Sequence, residues 1–278
     1  MISPRFAAAL LVLAAALPVA AANYDGAPPF EKAADTKTVK LDPAATDPGS
    51  SKEVRCFYFS HVLVKEIDEG EIGDQQISYM ILGPGQAIPD CAEKPIAGEK
   101  KLRSDESYFW GTAADRLFLV DADGANGTIG FRVYDPQSSR ELFHDTIKLD
   151  SRLREITAEA GKLHLSYTRA VTGSCSVVTG GETCWRAMTR KMQMPETAPP
   201  DCRAGYDAAM RRQVEEACGG QRGDSDKAEC LQRETKDRST GWEAAPSVVS
   251  YDVDVVVGPT DEVVRNFSGG PVACWPSD

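Results

Sequence analysis

The sequence predicts a mainly β protein, an antiparallel β-sandwich or an open barrel-like meander, with an inserted α-helical hairpin. Three observations carry this reading. Short runs rich in aromatic and β-branched residues, separated by turn formers, recur over 54–170 and return after residue 248. Helical spacing replaces them over about 203–240, where Tyr206, Met210, Val214 and Ala217 recur about one turn apart before Gly219 and Gly220. No internal repeat of blade length is visible, so a small β-propeller-like fold ranks behind the sandwich or barrel as the alternative.

Residues 1–22 read as a secretory signal peptide. Arg5 supplies the positive charge, 6–17 form a short apolar core, Pro18 breaks it, and Ala20, Ala21 and Ala22 offer the small residues of a cleavage site. Residues 23–53 read as a flexible linker, because Pro28, Pro29, Pro43 and Pro48 are scattered among polar residues without an apolar period. The remainder, 54–278, reads as one disulfide-containing β domain with the helical insertion at about 203–240.

Within that domain, 54–65 reads as one central strand. Simple alternation puts Phe57, Phe59, His61 and Leu63 on one face and Cys56, Tyr58, Val62 and Val64 on the other. The acidic stretch 66–74 reads as a loop, 77–82 as a shorter strand, and Gly83, Pro84 and Gly85 as a turn. A β-meander follows over 107–170, with strands at 116–121, 128–134, 141–149, 153–158 and 162–169. Residues 121–127 are rich in loop formers, and 184–192 is a further strand candidate. Residues 225–238 make a second helix beside the first. Val249, Tyr251, Val253, Val255 and Val257 then alternate as a half-buried strand, with 263–267 paired to it across Gly258 and Pro259.

The cysteines number eight: Cys56, Cys91, Cys175, Cys184, Cys202, Cys218, Cys230 and Cys274. An even count behind a leader favours disulfides, and no C-x-x-C pair offers two thiolates to one zinc ion. Local spacing suggests Cys175 with Cys184 at a hairpin tip and Cys218 with Cys230 between two helices. Cys56 with Cys91, and Cys202 with Cys274, then close longer loops. Leader and disulfides together predict a periplasmic or secreted protein. The only long apolar run is the leader, so no transmembrane segment is expected after its cleavage. A formal net charge of -11 disfavours nucleic acid and anionic membrane surfaces as partners.

Residues able to carry chemistry are few. His61, His144 and His164 are the histidines, and none lies in a recognised nucleophile setting. No phosphate-binding loop or haem-attachment motif occurs. Asp121, Asp123 and Asn126 are the calcium candidates, since oxygen ligands at short spacing suit that ion. The EF-hand match is poor: Ala125 replaces an acid, and Arg132 stands where the final glutamate belongs. Tyr108, Phe109 and Trp110 form an aromatic triplet that a strand would largely send into the core. The reading that follows is an exported, non-catalytic binding or inhibitory protein with a protein or glycan partner, and no cofactor unless calcium. The alternatives are a secreted hydrolase using a histidine or an acidic pair, and a calcium-stabilised envelope protein.

Overall fold

The computed structural model describes residues 27–42, 52–70, 75–102, 106–195, 197–220, 223–259 and 262–277. The leader at 1–22 lies outside the described residues. Among the described residues the architecture is mainly β, with two antiparallel sheets and three helices.

The first sheet is a simple meander of β1 (Asp35–Lys40), β2 (Glu53–Tyr58), β3 (Val62–Asp68), β4 (Gln75–Ile81) and β5 (Lys100–Lys101). The second begins with β6 (Ser107–Ala113), β7 (Arg116–Ala125), β8 (Thr128–Asp135) and β9 (Arg140–Lys148). It continues through β10 (Glu155–Glu159), β11 (Lys162–Thr172), β12 (Ser247–Val257), β13 (Val263–Phe267) and β14 (Ala273–Pro276). Its order is β13-β12-β11-β9-β8-β7-β6, with β10 on β11 and β14 on β12. Between β11 and β12 run α1 (Val177–Met192), α2 (Cys202–Cys218) and α3 (Asp224–Trp242). The sheets pack face to face rather than as blades around a channel, so the propeller alternative does not hold.

Three apolar layers result. Phe57, Val64, Ile77 and Tyr79 of the first sheet meet Phe109, Leu117 and Leu119 of the second. The opposite face of the first sheet buries Val54, Tyr58, Leu63 and Met80 beside the Cys56–Cys91 bond. On the other side of the second sheet, Phe131, Tyr167 and Val253 pack against Trp185 and Met188 of α1 and Tyr206 of α2. That sheet curls: Arg140 at the start of β9 donates to the Pro259 carbonyl at 3.2 Å, and Arg265 on β13 reaches Asp145 on β9 at 2.9 Å.

Several expectations are corrected. Residues 54–65 are a hairpin, not one strand, and the turn at Ser60 and His61 shifts the alternation by one residue. Phe57, Phe59, Val62 and Val64 therefore share a face, opposite Cys56, Tyr58 and Leu63. Both faces are apolar because both are covered. The proposed linker holds β1, paired along its length with β2. Phe30 just before it lies 5.3 Å from Trp110 and from Phe118, over Gly111, where a Cβ would stand 2.5 Å from the Phe30 ring. The strand expected at 184–192 is the body of α1. Ser176 caps that helix by accepting from Thr179 N, and Cys184, Trp185, Met188 and Met192 recur on its buried face. Gly181, at φ 52°, kinks its first turns and hides the helical period.

The disulfides are Cys56–Cys91, Cys175–Cys184, Cys202–Cys274 and Cys218–Cys230, the pairs that local spacing suggested. The surroundings of Cys175–Cys184 differ from expectation: the bond ties the loop before α1 to the helix itself, not the tip of a hairpin. Four such bonds fit a chain that matures in an oxidising compartment. Among the described residues, no helix is long and apolar enough to cross a membrane.

Candidate functional site

The helical hairpin of α2 and α3 docks by α2. Tyr206 is buried, and its hydroxyl donates to the Ala245 carbonyl at 2.7 Å and lies 2.8 Å from Ser247 Oγ. Ser247 Oγ in turn accepts from Val177 N at 2.8 Å, so one hydroxyl pair joins α2, β12 and the start of α1. Cys202–Cys274 fastens the head of α2 to β14, and Cys218–Cys230 fastens its tail to α3. Gly205 permits the closest approach, since a Cβ there would stand 1.9 Å from the Cys274 carbonyl oxygen.

This docking leaves one face of α2 partly open: Ala208, Arg212 and Glu216 are exposed, Gly205 and Gln213 are half-buried, and Ala209 is buried. Gly205, Ala208, Ala209, Arg212, Gln213 and Glu216 follow the i, i+3, i+4, i+7, i+8, i+11 pattern of a single helical stripe, about 16 Å long. They line a groove of about 860 Å³. Its opposite wall is the β7–β8 turn at Asn126 and Gly127, the end of β9 at Lys148, and Trp275 of β14. The half of the stripe near Cys202 is small, and the half near Cys218 is polar. Arg238 of α3 closes that polar end by donating to Gln213 Oε1 at 2.8 Å.

Trp275 organises the wall. Its indole N–H donates to the Asn126 carbonyl at 2.8 Å, and Lys148 Nζ lies over the ring at 5.9 Å. Asn126 (φ 57°) and Gly127 (φ 72°) form the two-residue hairpin turn that positive φ angles favour. A Cβ at Gly127 would sit 3.0 Å from the indole nitrogen, so the small residue lets the turn lie against the ring. Lys148, Arg212 and Arg238 outnumber Asp150 and Glu216 around the groove. Arg212 lies 3.9 Å from Glu216 and Arg238 3.5 Å from Glu234, so two of these cations have a carboxylate beside them.

The calcium candidates fall differently. Residues 121–125 are the end of β7, not a loop; the pairing slips between Val120 and Gly124, which leaves 121–123 opposite Gly130 alone. The Asp121 carboxylate lies against Gly130, 3.6 Å from Arg132 Nε and 3.5 Å from Ser107 Oγ. Asn126 sits at the hairpin tip with its carbonyl bound to Trp275, and the Asp123 side chain lies outside the described residues. Among the described residues, no group of three His, Cys, Asp or Glu side chains is placed to hold a metal ion.

The histidines are scattered. His61, in the β2–β3 turn, lies 3.8 Å from Glu31 and 4.0 Å from Asp115. His144 is exposed, with Nδ1 2.8 Å from Glu141 Oε1. His164 stands on β11 opposite Thr157 of β10. Of the acidic run, Glu66 is buried, not solvated; its Oε2 accepts from Phe109 N at 2.8 Å, and Oε1 lies 3.0 Å from Arg55 Nη1. Tyr108 and Phe109 of the aromatic triplet enter the core, and Trp110 packs at its edge.

No family model matches the sequence, and neither a curated protein nor a solved structure is significantly similar to it.

Proposed function

We propose that this chain is an exported, non-catalytic binding protein that takes an extended, acidic polypeptide segment of its partner into the groove beside α2. The observation that carries the reading is the groove of about 860 Å³ between α2, whose Ala208, Arg212 and Glu216 are exposed along it, and Trp275. Exposed Ala208 at one end lets a partner's backbone lie close, and the guanidiniums of Arg212 and Arg238 at the other offer donors to carboxylates. Lys148, Arg212 and Arg238 gather three cations along the groove of a chain that is acidic as a whole, which favours an acidic segment over a basic one. A glycan is less suited, because Lys148 already covers a face of the indole on which a sugar ring would stack. The disulfides pin both ends of α2, so the groove is held open before binding and less ordering cost falls on the complex.

The test is a photo-cross-linking amino acid at Gln213, compared with the same group at Glu159 on β10, in the intact cell envelope. The reading expects a protein adduct from Gln213 alone, its cross-linked peptide rich in Asp and Glu. Equal adducts from both positions, a glycan adduct, or none from Gln213 would refute it.

A further inference from the structure

A second cavity, of about 420 Å³, shares no lining residue with the groove and has a different chemistry. At its wall lies Asp145 of β9, which is buried. Asp145 accepts from Arg169 Nε at 2.8 and 2.9 Å, from Arg265 Nε at 2.9 Å and from the Tyr167 hydroxyl at 2.8 Å. Two guanidiniums thus face one carboxylate, and each commits its Nε to it. Arg169 gives Nη1 to the Tyr251 hydroxyl at 2.7 Å. Arg169 Nη2 and both terminal nitrogens of Arg265 have no protein acceptor among the described residues. Arg265 is held in place by lying over the Phe143 ring at 5.3 Å.

The uncommitted guanidinium nitrogens define what fits. Arg132, on the same cavity, is already matched by Asp121 at 3.6 Å and Glu141 at 3.4 Å. Arg169 and Arg265 share Asp145, and the three arginines of the lining face three carboxylates, Asp121, Glu141 and Asp145. The cavity is therefore set apart not by a surplus charge but by the uncommitted nitrogens of Arg169 and Arg265. Phe131 and Val171 add an apolar part to the lining. We propose that this cavity binds a small monocarboxylic acid, its carboxylate gripped by the terminal nitrogens of Arg169 and Arg265 and its apolar part against Phe131 and Val171. A planar carboxylate matches the guanidinium fork. A doubly charged phosphate would bring a second negative charge against Glu141 and Asp145. The volume lies within the range of about 300–1,000 Å³ usual for small-molecule sites. The inference does not depend on the groove.

The test is calorimetric titration of the full chain with acetate, benzoate and phenylacetate, with benzamide and inorganic phosphate as controls. At least one monocarboxylate is expected to saturate a single site with Kd below about 10 mM, and the controls are not. Arg265→Gln is expected to weaken binding about tenfold, while Asp145 keeps Arg169 and Tyr167 as partners. In the unmodified chain, the Nε–Hε NMR signals of Arg169 and Arg265 are expected to move on saturation, which decides the matter if the variant does not fold. The proposal falls if no monocarboxylate binds, if phosphate binds as tightly, or if binding leaves both arginine signals unmoved.

Discussion

The Trp275 indole N–H donates to the Asn126 carbonyl at 2.8 Å, joining the last strand of the fold to the tip of the β7–β8 hairpin. This bond fixes one wall of the groove, and Cys202–Cys274 beside it fixes the other. Trp275→Phe keeps a ring but removes the donor. It is expected to cost about 0.5–1.5 kcal/mol in thermal or denaturant unfolding. It is also expected to speed amide exchange at the Asn126–Gly127 turn relative to β8, read by hydrogen-exchange mass spectrometry.

Asp145 holds two cations from strands β11 and β13. Removing it leaves both guanidiniums partly buried without their counter-charge. Asp145→Ala is therefore expected to destabilise the fold by about 3–5 kcal/mol, as broken buried pairs do. Arg265→Gln, which leaves Arg169 on Asp145, is expected to cost clearly less. Denaturant titration of the two variants measures the difference.

Glu66 gives a pH dependence of defined sign. Burial pushes its carboxyl above the usual range, with Asp68 and Glu53 adding to the rise, while Arg55 and the Phe109 N–H pull the other way without cancelling it. The folded chain thus binds this proton more tightly than the unfolded chain does. The stability it contributes is complete below the ordinary carboxylate range and is lost as pH rises through the raised value. Glu66→Gln fixes the neutral form and keeps an oxygen for Phe109 N. Its melting temperature is expected to exceed that of the parent at about pH 7, and the gap to close toward about pH 4. Glu99, Asp135 and Asp252 work in the opposite direction. In each, burial is outweighed by hydrogen bonds and a nearby cation: Lys65 for Glu99, Arg116 for Asp135 and Arg154 for Asp252. They are common to both proteins, so the comparison isolates Glu66.

Trp185 is the largest fully buried side chain of α1, and its indole N–H donates to the Thr197 carbonyl at 2.7 Å. Trp185→Ala is expected to cost about 3–5 kcal/mol, because the helix cannot collapse into the space left against the curled sheet. A loss below about 1 kcal/mol on denaturant unfolding would contradict this packing.

Periodicity made much of this fold legible. The alternation from Val249 to Val257 and the one-turn spacing of Tyr206, Met210 and Val214 correspond to β12 and α2. It failed where one residue broke the count. Ser60 and His61 turn the chain inside what reads as a single run, and Gly181 interrupts the helix that Trp185, Met188 and Met192 mark out. The slip at 121–123 made a strand end look like a loop. Neither cavity could be read in advance. The groove needs Gly205 of α2 beside Trp275, 70 positions away in the chain, and Asp145 meets Arg265 only because the sheet curls. The Asn126-Gly127 pair is the one local signal that could have marked the groove's far wall, as a hairpin turn rather than a calcium loop.

The central claim is that α2 binds through its open stripe. The most direct measurement is the affinity of the cross-linked partner segment, as a synthetic peptide, for the parent chain and for Ala208→Trp. Ala208 is exposed in the groove, so a bulky ring there blocks the channel without removing a core contact. The account predicts at least about a tenfold loss of affinity with an unchanged melting temperature. Equal affinity in the two proteins would contradict it.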